Sequence, residues 1–257
     1  MAADLRKHLL LRETDVGALD LPRAANWQAG QLAPLAQDAV PVLPTGHCLL
    51  DAELAGGGWP AGAITEVLQA QAGWIEWRLL RPGLCPAGKA LLLIGPPHWP
   101  HLPAFMAQGV QPLQLLLLRA QQPAERLWAI EQALHCESFG LVLCWLPQAR
   151  AEQLRRLQLA ARACRYPVFL FRPLAARHES SPAPLRLALA APNAMQLELD
   201  IFKRRGPALC QPLLLEAPAP GLRPLLDWRA HRSPSSHHVL DRTAAQPAQG
   251  RTVLAAA

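Results

Sequence analysis

The sequence predicts an α/β fold: a mostly parallel sheet flanked by helices, with antiparallel strands added at the C-terminal end. Near-continuous apolar runs, typical of strands buried on both faces, alternate with helical periods from about residue 43 to 172. After residue 184, short strand-like runs follow one another without helices. Apolar residues make up 51% of the 257 positions, which is enough for one sizeable core.

Eight runs have the composition of strands, and four stretches between them have a helical period. The predicted strands are 62–68, 90–95, 115–118, 140–146, 167–171, 185–190, 196–202 and 213–215. The predicted helices are 74–82, 100–108, 123–137 and 149–165. At 100° per residue, the apolar side of the last helix consists of Leu154, Leu157, Ala161 and Cys164.

Composition divides the chain into three parts. Residues 1–42 form a Pro- and Ala-rich N-terminal arm, and residues 43–216 form the predicted core domain. Residues 217–257 are rich in Pro, Ala, Ser and Arg, lack periodicity, and are predicted to be disordered on their own. The core should therefore fold when the chain ends at Glu216. The tail also holds one apolar cluster, predicted to dock on an acidic partner: Leu222, Leu225, Leu226 and Trp228. A dispensable overhang is the alternative.

Charge and cysteine usage limit the classes of function. The net charge of +6 permits an anionic partner, although plain solubility explains it equally well. The six cysteines contain no CxxC pair, so they indicate buried thiols in a reducing compartment, and we expect a cytoplasmic protein. His98 and His101 lie among prolines without a third ligand, so we predict neither a metal nor another cofactor. Prolines interrupt every long apolar window, so no membrane span is expected.

The most informative stretch runs from Leu43 to Val67. It contains Thr45-Gly46, an apolar-Asp pair, the Gly56-Gly57-Gly58 turn, Pro60-x-Gly62 and Ile64-x-Glu66. Three consecutive glycines permit a tight turn before a buried strand. In this order the motifs resemble the opening of a RecA-like core.

In a working RecA-like ATPase, the next element would be a phosphate loop, Gly-x-x-x-x-Gly-Lys-Thr/Ser, whose amides, lysine and hydroxyl hold phosphate and magnesium. Here the strand leads instead into Gln-Ala-Gln-Ala followed by Gly73, Trp74, Ile75 and Glu76. Only one glycine remains, and neither a lysine nor a hydroxyl stands at the motif. Glu76 places a negative charge where a polyphosphate would bind. The loop is therefore predicted to be degenerate.

Two acidic residues that a RecA-like ATPase carries at its strand ends are also missing. The segment from Trp77 to Ala124 contains no Asp or Glu, so the second strand lacks a water-activating carboxylate. The fourth strand ends in Cys144-Trp145-Leu146-Pro147, without an Asp to position magnesium. We therefore predict that the protein is not an enzyme. An alternative is a nucleotide-binding regulator that uses a remodelled loop around Gly73.

Further pieces of the chain fit one family. They are Trp27 with Leu32, 116–119, 127–134, 154–161, 169–173, 182–187 and 203–206. Over about residues 27–216 the pattern resembles ImuA, the translesion-synthesis-associated RecA/SulA-like family. The resemblance implies a non-catalytic adaptor in SOS-induced mutagenesis beside an inactive Y-family-like polymerase (ImuB) and an error-prone replicative-type polymerase. RecA, single-stranded DNA and a second copy of the chain are further candidate partners, and a SulA-like inhibitor of the division tubulin is the alternative role.

Two basic segments are candidate contacts for nucleic acid or a partner. The first is the connection from Arg172 to Pro184, which contains Arg172 and Arg177 but no stacking aromatic residue. The second is the turn formed by Lys203, Arg204 and Arg205, where three adjacent cations suit a phosphate backbone or an acidic protein. An exposed connection and a solvated turn are the alternatives.

Overall fold

The computed structural model describes residues 41–84, 88–219 and 222. Within these residues, three short 3-10 helices (Arg81–Gly83, Pro112–Gln114 and Leu174–His178) accompany the strands and α-helices. In chain order the strands and α-helices are β1 (Val42–Leu43), α1 (Cys48–Glu53), β2 (Trp59–Pro60), β3 (Ile64–Gln69), α2 (Glu76–Leu80), β4 (Ala90–Ile94), α3 (Leu102–Met106), β5 (Leu115–Leu118), α4 (Pro123–Leu134), β6 (Phe139–Trp145), α5 (Ala151–Ala161), β7 (Val168–Pro173), β8 (Leu185–Ala190), β9 (Gln196–Lys203) and β10 (Leu213–Glu216).

Eight strands form one mixed sheet with the order β10-β9-β8-β3-β7-β6-β4-β5. Strands β3 to β8 pair with one another in parallel. Strand β9 runs antiparallel to both β8 and β10. The predicted α/β class is confirmed: the sheet is mostly parallel, helices flank it, and the antiparallel strands lie at the C-terminal end.

The inner parallel strands are apolar on both faces because helices cover both, whereas Leu116 and Leu118 of the edge strand β5 are exposed. Along β4, Leu91 and Leu93 join the core cluster that contains Leu79 of α2. Leu92 and Ile94 point to the opposite face and join the cluster beneath α4 and α5. This burial on two sides explains why the strands read as continuous apolar runs rather than as alternating ones.

The predicted elements agree closely with the observed ones. Each predicted strand coincides with one of β3 to β10 to within two residues at either end. The predicted helices correspond to α2, α3, α4 and α5, which are all shorter than expected. The apolar side predicted for the last helix is confirmed, since all of its residues are buried: Leu154, Leu157, Ala161 and Cys164.

The Gly-rich turn lies where the sequence predicts a tight turn. Gly56 and Gly57 adopt positive φ values of 86° and 79°. A Cβ on Gly58 would lie 2.4 Å from the carbonyl oxygen of Leu43, so the chain passes too closely for a side chain. The turn joins α1 to β2, which pairs with β1. Neither α1 nor this two-stranded sheet is predicted by the sequence, since each is too short to show a period.

The fold extends slightly beyond both predicted limits of the core domain. The predicted arm, 1–42, lies outside the described residues except for its last two, and Val42 already pairs with Pro60. At the other end, the fold continues past Glu216. Ala217 is buried, its N–H donates to Met195 O (3.0 Å), and the N–H of Ala219 donates to Ala194 O (2.8 Å). The boundary at 216 is therefore a few residues too early.

A chain that ends at Glu216 is expected to be less stable than one that ends at Ala219, by about 2–3 kcal/mol. The buried guanidinium of Arg78 donates from Nε to Ala217 O (2.7 Å), and the shorter chain leaves this charged donor without that partner. Urea denaturation of the two chains measures the difference. Equal free energies of unfolding would restore the boundary at Glu216.

Membrane insertion through a helix has no support in the described part of the chain. None of the helices there combines the length and the apolar character that a bilayer crossing requires. The longest, α4, has 12 residues.

Candidate functional site

The degenerate loop lies at the C-terminal edge of the sheet, between β3 and α2. Strand β3 is central, with β7 on one side and β8 on the other, and all six of its residues are buried. Gly73 has φ +93° and faces the segment that follows β4: a Cβ there would lie 2.5 Å from His98 Cδ2. Ile75 is buried in the core, whereas Trp74 is exposed.

The carboxylate of Glu76 occupies this loop. Its Oε1 accepts hydrogen bonds from the N–H of Gly73 (2.5 Å) and from the indole Nε1 of Trp145 (2.9 Å). Its Oε2 accepts the N–H of Trp74 (2.9 Å). The side chain is fully buried. Three donors, two of them loop amides, therefore converge on an anion that the chain itself supplies.

Part of this arrangement is ordinary helix capping. A side chain three residues into a helix often accepts the N–H at its start, and Glu125 does so with the N–H of Gln122 (3.3 Å) at α4. Glu76 differs from Glu125 in two respects. It is buried whereas Glu125 is exposed, and it has a third donor from the end of β6. Successive loop amides aimed at one anion are also how a phosphate loop holds its ligand.

The end of β6 also contributes to this arrangement. Trp145 is the last residue of β6, and its indole Nε1 donates to Glu76 Oε1. Its ring stacks on Phe171 of β7, with centroids 4.9 Å apart. The loop is thus closed by side chains from α2 and β6: Glu76 accepts the loop amides, and Trp145 donates to Glu76. The absence of ATP turnover stays a prediction, which an assay of phosphate release tests.

An apolar cavity of about 610 Å³ adjoins the loop. It lies between α2, α3 and the segment after β4. Its walls include Gly73, Trp77, Trp99, Phe105 and Trp145. The cavity therefore shares Gly73 and Trp145 with the closed loop.

Arg172 does not form the surface contact that the sequence predicts. Its side chain is 1% exposed, with Nη2 2.7 Å from Glu179 Oε2 and Nη1 3.7 Å from Glu66 Oε1. Its Nε and Nη1 make no hydrogen bond within the described residues. This prediction is wrong, because long-range partners draw the guanidinium into the interior.

The residue that sequence reasoning missed is Glu66, which is fully buried in β3. It accepts hydrogen bonds from Arg186 Nε (2.7 Å) and from the hydroxyl of Ser181 (2.7 Å). Arg186 also donates to two backbone carbonyls of the 172–184 connection, those of Ala176 and Glu179. The connection is thereby held against the sheet. The signal in the sequence was a lone acid inside an apolar strand.

Arg177 is only partly available to a partner. Its Nη1 lies 2.6 Å from Asp200 Oδ2, and its guanidinium lies over the ring of Phe202. The pair is half-exposed. Arg177 therefore remains at the surface, but its charge is already paired.

The three cations of the basic turn differ in exposure and in their partners. Arg204 is turned inward: its Nη1 donates to the carbonyl of Glu53 and lies 2.7 Å from Glu53 Oε2. Lys203 is exposed and donates to Ser181 O (2.7 Å), and partial burial, with a smaller contribution from Arg186, lowers its pKa. Arg205 is exposed, and its side chain forms no hydrogen bond or ion pair within the described residues. Of the three predicted cations, Lys203 and Arg205 remain accessible.

The remaining candidates give no site. No group of three metal-ligating side chains occurs among the residues described.

Cys144 and Cys164 are buried as predicted, but Cys48 and Cys210 are exposed, so the expectation of buried thiols is wrong for those two. In the tail cluster, Leu222 makes one backbone bond to Ala219 O, while Leu225, Leu226 and Trp228 lie outside the described residues.

No protein-family model matches the chain, and no curated protein matches it.

Proposed function

We propose that the chain is a non-catalytic, RecA-like adaptor in SOS-induced, error-prone translesion DNA synthesis. It bridges an inactive Y-family-like polymerase and a mutagenic replicative-type polymerase. The motifs between Leu43 and Val67 support this proposal through their resemblance to the opening of a RecA-like core, and the pattern over about residues 27–216 supports it through its resemblance to the ImuA family. The site that supports it is at the end of β3, at the carboxyl edge where α/β sheets bind their ligands.

The observation that carries the proposal is the closed loop. A working phosphate loop offers its amides to a nucleotide, whereas here Gly73 and Trp74 donate to the carboxylate of Glu76. The chain thus keeps a strand, a loop and a helix in the order of a phosphate site, β3 followed by the loop and α2, while the carboxylate of Glu76 takes the place of the phosphate. Such a scaffold is suited to holding partners rather than to phosphoryl transfer.

Co-purification tests the role. The full chain, tagged and expressed in its source cells, is purified after DNA damage and from undamaged cells. We expect a Y-family-like polymerase to be recovered in stoichiometric amounts after damage. Recovery of the division tubulin without any polymerase would favour the SulA-like role and contradict the adaptor.

Contact with DNA is proposed through the two accessible cations of the basic turn. Replacing Lys203 and Arg205 with alanine is expected to reduce the salt slope of single-stranded DNA binding by about 1.4 units, roughly 0.7 for each phosphate that is no longer neutralised. Arg204→Ala is the matched control, because this side chain binds Glu53 instead of facing solvent. Binding measured by fluorescence anisotropy between low and moderate salt gives the slope. An unchanged slope in the double variant would remove the turn from the DNA contact.

A further inference from the structure

The apolar cavity beside the loop has the size and lining of a binding site. Its volume of about 610 Å³ lies within the range of pockets that hold small ligands or large side chains. Trp77 meets Phe105 edge-on, with centroids 5.0 Å apart, and lies 5.8 Å from Trp145. Three aromatic rings thus form a wall that stacking or apolar insertion can use.

The mouth of the cavity is also apolar. Trp99 lines it and is nevertheless 69% exposed. Leu102 and Met106 lie on α3 next to the lining residue Phe105, and both are exposed. Apolar surface around an open cavity is typical of protein interaction sites.

The charge around the cavity favours an acidic occupant. No Asp or Glu occurs between Trp77 and Ala124, the segment that supplies most of the lining. The guanidinium of Arg119 lies over the ring of Trp99 at 4.8 Å. The adjacent acid, Glu76, is fully buried and accepts three hydrogen bonds. A carboxylate that approaches the mouth therefore meets the guanidinium of Arg119 and no acid from this segment.

We propose that the cavity is the docking site for an acidic peptide segment of a partner protein, which inserts one aromatic or large aliphatic side chain between Trp77, Trp99 and Phe105. Carboxylates beside that anchor face Arg119. Nucleic acid fits less well, because a phosphate backbone requires a row of cations, whereas Arg81 is the one Lys or Arg among the described lining residues and its Nε donates to Gln108 Oε1. The site gives the proposed adaptor its partner contact, and to that extent it rests on the proposed function.

A random library of 12-residue peptides displayed on phage, selected on the immobilised full chain, provides the probe. We expect enrichment of peptides that combine Trp, Phe or Leu with neighbouring Asp or Glu. Failure to enrich peptides, or enrichment of peptides without acidic residues, would overturn the inference. The enriched peptides are then labelled and titrated by fluorescence anisotropy.

Two matched pairs of variants locate the binding. Trp99→Ala should weaken peptide binding at least about tenfold, whereas Trp128→Ala, which removes a 65% exposed tryptophan from α4, should leave it within twofold. At the exposed lining residue Ala104, Ala104→Glu should weaken binding about tenfold and Ala104→Lys should not. Peptide binding that is equal in Trp99→Ala and Trp128→Ala, or in both Ala104 variants, contradicts the site.

Other occupants give distinct results, and each would overturn the proposal. Displacement by oligo(dT) would assign the cavity to nucleic acid. Displacement by a synthetic peptide of residues 217–257 would assign it to the chain's own tail, and an oligomer that dissociates in Ala104→Glu would assign it to a second copy. If the phage-selected peptides fail to bind the cavity while the tagged chain still recovers its polymerase, the cavity inference is wrong and the adaptor role stands. Peptide binding without a recovered polymerase would support the cavity and contradict the adaptor role.

Discussion

Replacing Glu66 with alanine is expected to lower the free energy of unfolding by about 3–5 kcal/mol. The change leaves the guanidinium of Arg186 buried without its counter-ion, and it removes the carboxylate that lies 3.7 Å from Nη1 of the buried Arg172. It also frees the hydroxyl of Ser181, which ties the 172–184 connection to the sheet. Urea denaturation, with the slope as a check on two-state behaviour, measures the loss.

An exposed ion pair provides the control for Glu66. Glu131→Ala removes the partner of Arg156, whose side chain is 70% exposed, and should cost less than about 1 kcal/mol. Glu66→Gln, which keeps an acceptor for Ser181 but loses the charge, should lie between the two. Similar losses for Glu66→Ala and Glu131→Ala would mean that the buried cluster does not hold the connection in place.

Replacing Glu76 with alanine is expected to cost about 2–4 kcal/mol, because three donors lose their acceptor inside the protein: the amides of Gly73 and Trp74 and the indole of Trp145. The vacated position should then accept a small anion. Added acetate or sulfate should raise the melting temperature of Glu76→Ala by several degrees more than that of the wild type.

Glu152 provides the matched control for Glu76. It lies in the first turn of α5, is exposed, and makes no side-chain hydrogen bond within the described residues, so Glu152→Ala should change stability by less than about 0.5 kcal/mol. Glu76→Gln should remain destabilising, since an amide offers one acceptor oxygen where the carboxylate has two. The same anion effect in Glu76→Ala, Glu152→Ala and wild type would contradict a site specific to the loop.

The strands were predictable because their signal is local. Runs such as Leu115–Leu118 and Leu185–Ala190 are apolar, bounded by turns, and match the structure residue for residue. Helix α1 was not predictable, because six residues with one buried side chain, Leu50, show no period. The C-terminal limit of the core was also missed, since Ala217 is secured by Arg78, far away in the sequence.

The candidate site was predictable only where its features lie within one short stretch of sequence. The missing lysine and the acid at Glu76 were visible in the sequence, and they indicated a degenerate loop. The donation from Trp145 was not visible, because it joins residues 69 positions apart. Arg172 was misassigned because an arginine beside a loop looks exposed until Glu66 of β3 and Glu179 of the 172–184 connection are placed next to it.

The central claim is that Glu76 fills the position of a nucleotide phosphate. Titration of the full chain with magnesium-ATP in a calorimeter tests this most directly. We predict a dissociation constant no tighter than about 1 mM, equivalent to about 4 kcal/mol of binding free energy, because the loop amides already bind a carboxylate. A dissociation constant in the low micromolar range would contradict the claim.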